Sequence, residues 1–121
     1  MKLPDSAALD AVFAPRIPDF AAKTESYRVP VEPMDDELAG LFQDELARAT
    51  AAAEAAAAAA DEAGVRQAAH SLKGMGGTVG LPQISALGEE LSRAGKAGDF
   101  TRAADLLAAL ASVWPRGGEG S

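Results

Sequence analysis

An all-α fold is expected, an antiparallel up-down four-helix bundle carrying an N-terminal extension. Three observations predict it. From Asp35 onward apolar residues recur at three- and four-residue steps, the helical period. Gly, Pro and Asp fall between the periodic runs, where short turns belong. No alternating apolar and polar run of the kind that marks a strand occurs in that region. Four amphipathic helices joined by short turns pack most simply as such a bundle. The chain divides into an extension (1–34), the bundle (35–114) and a flexible tail (115–121).

The extension holds five of the seven prolines: Pro4, Pro15, Pro18, Pro30 and Pro33. Asp5 or Ser6 can cap a short helix through Phe13, which Pro15 ends. Residues 24–33 read as extended. The segment is either a linker or an arm packed on the bundle through Phe13, Phe20 and Tyr27, and the aromatic residues favour the arm.

Asp35 can cap the first bundle helix, with Asp36 and Glu37 in the first turn, where they complement the helix dipole. Leu38, Leu41, Phe42, Ala49, Ala53, Ala56 and Ala60 mark its expected packing face. The alanine-rich stretch 51–60 is low in complexity, but alanine is the best helix former. Gly64 reads as the turn. A second helix is expected from about Val65 to about Val79. Pro82 suits the first turn of a third helix, striped by Ile84, Leu87, Leu91 and Ala94. The turn Gly95–Gly98 precedes a fourth helix, capped by Asp99, carrying Phe100, Ala103, Leu107, Leu110 and Trp114 and stopped by Pro115.

Composition excludes several functions. The chain has 121 residues, enough for one domain, and a formal net charge of -7. Duplex binding rests on Lys and Arg neutralising phosphates, so neither nucleic acid nor an anionic membrane is an expected partner. There is no cysteine and a single histidine, which argues against disulfides, thiol chemistry and a transition-metal site. The N-terminus lacks the sustained apolar stretch of a signal peptide. No apolar run is longer than Ala55–Ala60, far short of the ~20 residues of a membrane helix. A cytoplasmic location is expected.

The histidine is the informative residue. Each helical position turns about 100°. On the second helix, Val65, Ala68, Ala69, Leu72, Met75, Gly76 and Val79 then share the core face, and His70 falls opposite, with Gly74 and Gly77 beside it and Lys73 at the edge. Glycine inside a helix is worse than alanine by ~1 kcal/mol. Gly76 and Gly80 have a packing reason, since they allow helices to approach. Gly74 and Gly77 point outward, where their benefit is a bare surface on which another protein can reach His70. Gln67, one turn before His70, belongs to the same docking surface.

Imidazole in water titrates near pH ~6.5, so an exposed histidine is largely neutral at cytoplasmic pH and can attack a phosphoryl group. Phosphoryl transfer needs positioning and charge stabilisation more than covalent help. Lys73, three residues on, can offer its ammonium to the phosphoryl oxygens. Glu89 or Glu90 could accept the His70 Nδ1 hydrogen and fix its tautomer, or both could form a solvated face. Other chemistry is poorly supported. No phosphate loop of the form GxxxxGK[ST] is present, the Gly74–Gly80 run follows a helix rather than a strand, and no nucleophile elbow surrounds a serine.

The run Ala68-Ala69-His70-Ser71-Leu72-Lys73-Gly74, followed by Gly80, resembles the histidine-containing phosphotransfer (HPt) motif A-H-x-L-K-G with a glycine ten residues after the histidine. Leu87-Gly88-Glu89-Glu90-Leu91, then Ala94-Gly95 and Gly98-Asp99, is similar to the third helix and turn of that family. The resemblance implies a four-helix phosphocarrier without its own ATP site. It implies His70 as phosphoacceptor, Lys73 as the motif lysine and Gly74 as the glycine that opens the docking surface. The implied partners are a response-regulator receiver domain, a sensor histidine kinase, or both. No cofactor is implied on this chain, because the Mg2+ belongs to the partner receiver. Gly77-Thr78-Val79-Gly80 also resembles the phosphoacceptor domain of chemotaxis-type kinases, whose donor is an ATP-binding domain. A non-phosphorylated docking module of the same fold is the main alternative. An enzyme using the exposed carboxylates is a third reading.

Overall fold

In the computed structural model, residues 2–30 and 32–115 are described, so Met1, Val31 and most of the expected tail, residues 116–121, lie outside the described residues. Six helices appear among the described residues: α1 (Ser6–Phe13), α2 (Phe20–Tyr27), α3 (Asp36–Ala58), α4 (Glu62–Val79), α5 (Pro82–Lys96) and α6 (Phe100–Val113). There is no strand among the described residues, so the fold is all-α. Helix α4 packs on α3 and α5, and α6 touches α3 and α5 in turn, closing a ring of four. Helices α1 and α2 lie outside that ring on α5, and α1 also contacts α6.

Aspartate side chains cap four of the helices. The side chains of Asp5, Asp35, Asp61 and Asp99 accept from the backbone N–H groups of Ala8, Leu38, Gly64 and Arg102 at 2.8–3.1 Å. Each such cap is worth about 1 kcal/mol, because it satisfies a donor the helix leaves unpaired. Asp61 therefore starts α4 earlier than expected, and Gly64 lies in its first turn rather than in the loop. The chain reverses instead at Ala59–Ala60. There the Asp61 N–H reaches the Ala56 carbonyl at 2.9 Å and the Ala60 N–H reaches Ala57 at 3.2 Å, with Ala60 at φ 54. This is a Schellman ending, which normally uses glycine. The same bonds recur between α5 and α6, where Gly98 at φ 70 takes the left-handed position. Gly80, at φ 75, takes the left-handed position that closes α4, and Pro82 opens α5.

The extension departs from expectation at residues 24–27, which are helical rather than extended. Local propensity is weak there, and packing overrides it. Thr24 is buried with its hydroxyl donating to the Ala21 carbonyl at 3.0 Å, and Tyr27 is half-buried against the core. The segment packs against the helices that follow it. Leu9, Phe13, Ile17 and Phe20 are buried in the common core, and the Phe13 and Phe20 rings lie 6.5 Å apart. Polar contacts fasten it further. Gln83 Nε2 donates to Ser6 Oγ at 2.7 Å and to Asp10 Oδ1 at 2.9 Å, and the Trp114 indole N–H donates to the Lys2 carbonyl.

Covered by the arm on one side and the ring on the other, α5 is buried at every position from 82 to 88. On α3 the core face is Leu46, Thr50, Ala53, Ala56 and Ala57. Leu38 and Leu41, expected on that face, are 42% and 57% exposed. At ~100° per residue, Leu41 lies about 140° around the helix from Leu46, so the first two turns of α3 present a separate apolar stripe to solvent. Ala60 is likewise exposed, beyond the helix end.

Candidate functional site

Helix α4 continues unbroken past Gly74 to Val79, as the periodicity requires. Val65, Ala68, Ala69, Leu72, Gly76 and Val79 are buried, and Met75 is half-buried. His70 is exposed opposite them. His70, Lys73, Gly74 and Gly77 follow one another at i, i+3, i+4 and i+7, the spacing of a single stripe. A methyl added at Gly74 would meet nothing within 4 Å. Gly77 is less bare than expected: it is half-buried, and a methyl there would touch Val29 of the arm at 3.9 Å. Gln67 is exposed one turn before His70.

The backbone of this stripe is held from behind by α5. A methyl at Gly88 would stand 2.6 Å from the Ala69 carbonyl and 2.7 Å from the Lys73 nitrogen, so only glycine permits the approach. At Gly76 the Ser85 Oγ and backbone occupy the space that a side chain would need. The Ser85 hydroxyl donates to the Lys73 carbonyl at 2.7 Å.

A polar cleft between α4 and α5 is lined by His70, Lys73, Gly88, Glu89, Ser92, Arg93 and Lys96. A second depression next to His70, sharing Ser92 and Lys96 with the first, adds Arg66, Gln67 and Ser71. Four cations thus border the histidine on a chain of net charge -7. Two are paired locally, Arg66 with Glu62 at 3.3 Å and Arg93 with Glu89 at 3.2 Å. The Lys73 ammonium lies over the Tyr27 ring, 5.7 Å from its centroid. A shallow groove between α3 and α4, floored by Ala49, Ala52, Ala56 and Ala68, runs beside Gln67, Ser71 and Met75.

The two glutamates separate. Glu89 shares the cleft with His70. Its carboxylate accepts the Tyr27 hydroxyl and lies 3.5 Å from Lys23. The Tyr27 hydrogen bond, opposed by partial burial and aided by Lys23 and Arg93, holds the Glu89 carboxyl below its ordinary range. Burial first, then the bond to Glu89 and its charge, push Tyr27 up to about 12. Glu90 belongs to neither expected role. It is 5% exposed rather than solvated, and it pairs with Lys23 at 3.3 Å and Arg102 at 3.1 Å, on the arm side of α5 and away from the His70 cleft. Arg102 also donates to the Arg16 carbonyl at 2.7 Å, so this buried cluster ties α2, α5, α6 and the α1–α2 turn together.

Sequence reasoning missed Tyr27, Gly88, Ser92, Arg93 and Lys96 at this site. Gly88 was detectable as a glycine between Leu87 and Leu91 on an otherwise good helix. Nothing local marked Tyr27, which reaches the site from 62 positions away.

The family model for the Hpt domain matches residues 37–114, more than half of the chain, and the chain therefore belongs to the Hpt domain family. Searches of curated proteins and of solved structures returned no match. Hpt domains are phosphocarrier modules of phosphorelays that work with receiver domains and kinases, without an ATP site of their own. No helix among the described residues is long and apolar enough to cross a membrane.

Proposed function

We propose that this protein is a phosphorelay carrier that takes a phosphoryl group on His70 from a receiver-domain aspartate or a kinase and passes it to a response regulator. The observation that carries the reading is the exposed His70 at the head of a stripe containing Lys73 and the bare Gly74, within a family of phosphocarriers. An imidazole nitrogen of His70 attacks the phosphorus in line. The bond from phosphorus to the aspartyl oxygen breaks, and the carboxylate leaves with its electron pair. The reverse step charges the next receiver. Lys73 faces the phosphoryl oxygens, and the basic rim of the cleft favours the added negative charge. The Mg2+ is supplied by the partner receiver.

Residues 35–114 form the transfer unit, an antiparallel up-down bundle of α3–α6, and the chain works in the cytoplasm. The short turns between these helices and the ring of contacts support the bundle. The docking surface comprises Gln67, Gly74 and Gly77 with the α3–α4 groove, whose glycines and alanines let a partner approach. Glu89, in the same cleft, is the candidate to orient His70.

The test is phosphoryl transfer from a labelled phospho-receiver, or from a charged kinase, to the wild type and to His70→Gln. Acid-labile, base-stable label on the wild type and none on the variant is the expected result, with the fold unchanged because the site is exposed. Stable binding of a donor without any label would support the non-phosphorylated docking module instead.

A further inference from the structure

We propose that Tyr27, on the arm outside the family's matched region, is a positioning residue that seats the Lys73 ammonium beside His70 for phosphoryl transfer. The inference rests on the carrier reading. A lysine side chain on an open helix face has many rotamers, and its charge is spread over the volume they sweep. Here the ammonium has a seat. It lies over the Tyr27 ring at 5.7 Å, within the range of a cation–π attraction.

The ring is itself held. Its hydroxyl donates to Glu89, whose carboxylate is fixed in turn by Lys23 at 3.5 Å and Arg93 at 3.2 Å. Because the phenol titrates near 12, it stays a donor throughout the neutral range. The Lys73 backbone is fixed separately, by Gly88 packing and by the Ser85 hydroxyl on its carbonyl. Two residues beyond Tyr27, Val29 touches the helix again at Gly77. The arm thus follows the stripe that carries His70 and meets it at positions three and seven beyond the histidine. Lys73, Glu89 and His70 line one cleft, so a group that restrains the first two shapes the surroundings of the third.

The experiment compares wild type, Tyr27→Leu and Tyr27→Phe, each with Lys73 intact and with Lys73→Met. Transfer rate from a labelled phospho-receiver, receiver affinity and unfolding midpoint are measured for all six. Tyr27→Leu is expected to slow transfer by about two- to fivefold, the scale of one cation–π contact, at unchanged receiver affinity. Tyr27→Phe keeps the ring and restores most of the rate. In the Lys73→Met background Tyr27→Leu should have no further effect, because the two residues act as one unit. The Lys73 ε-methylene protons, shifted upfield by the ring in the wild type, should move back in Tyr27→Leu, and this readout needs no donor.

Wild-type rates in Tyr27→Leu, or equal slowing in both Lys73 backgrounds, would overturn the inference while leaving the carrier intact. Unshifted ε-methylene protons in the wild type would also overturn it. A wild type that takes no label from any donor would instead remove the carrier reading, and this inference with it.

Discussion

The Tyr27 hydroxyl and the Glu89 carboxylate titrate at opposite ends of the pH scale, and their bond survives only between those ends. Glu89 has a lowered folded pKa, chiefly through the Tyr27 bond. Its stabilisation is present above the unfolded carboxyl range, near ~4.3, and is lost as pH falls through the folded value. Tyr27 has a raised folded pKa, chiefly through burial. Its stabilisation is present below the unfolded phenol value, near ~10, and is lost as pH rises through about 12. Tyr27 is the only tyrosine, so phenolate absorbance reports it alone. A midpoint near 12 is expected, and one at the ordinary value for a free phenol would contradict the bond. Two glycines give an opposed pair at the same scale. Gly88→Ala places a methyl against backbone atoms and should destabilise by about 1–3 kcal/mol, the cost of overpacking. Gly74→Ala meets open space and should stabilise by up to ~1 kcal/mol. Urea unfolding of both variants checks the contrast. The stripe of His70, Lys73 and Gly74 was legible in the sequence because a helix turns by a constant angle and the alanines and leucines around it reveal the buried side. The partners of Glu89 and Glu90 were not, because adjacent residues on a helix diverge by about 100° and only the neighbouring elements decide what each meets.

Among elements, the α3–α4 turn carries an unusual strain. Ala60 holds the left-handed position of a Schellman ending at φ 54, where an L side chain costs roughly 1–2 kcal/mol. Ala60→Gly should relieve part of that and raise stability by about 0.5–1 kcal/mol, since glycine also loses more chain entropy on folding. A lower unfolding midpoint in this variant would contradict the assignment. The same turn explains why its position was misread. Glycine is the usual mark of such an ending, the nearest glycine was Gly64, and Asp61 had already begun α4 by capping it. Where the common residue does occupy the position, at Gly98, the turn was found, although Gly95 and Lys96, expected in it, still belong to α5. Helix α2 was hidden for a different reason. Its eight residues hold together because Phe20, Thr24 and Tyr27 face α5, and that partner lies far away in sequence. The exposed Leu38 and Leu41 show the converse, since the sequence supplies apolar residues at helical spacing that packing leaves uncovered.

For the molecule as a whole, the arm and the bundle share one core. Phe13 is completely buried against residues that α5 and α6 also use. Phe13→Ala should therefore lower global stability by about 3–5 kcal/mol rather than release the arm alone. Trp114, the single tryptophan, hydrogen-bonds to the Lys2 carbonyl at the start of the arm, so its fluorescence reports both parts. Its transition should coincide with that of helix content in a denaturant titration, for wild type and variant alike. Separate transitions would mean that the arm and bundle unfold independently.

The enclosure of α5 has a consequence in time. Its residues from 83 to 88 are all buried, so their amide hydrogens are expected to exchange for deuterium far more slowly than those of exposed helix ends. The first turns of α3, with Leu38 and Leu41 outside the core, open by local fraying on far shorter timescales. Two clocks thus run on the two helices that flank α4. The wall built by Gly88 stands still through any number of encounters, while the α3 surface re-forms many times between them. Adjustment between this protein and whatever meets it falls to the faster side.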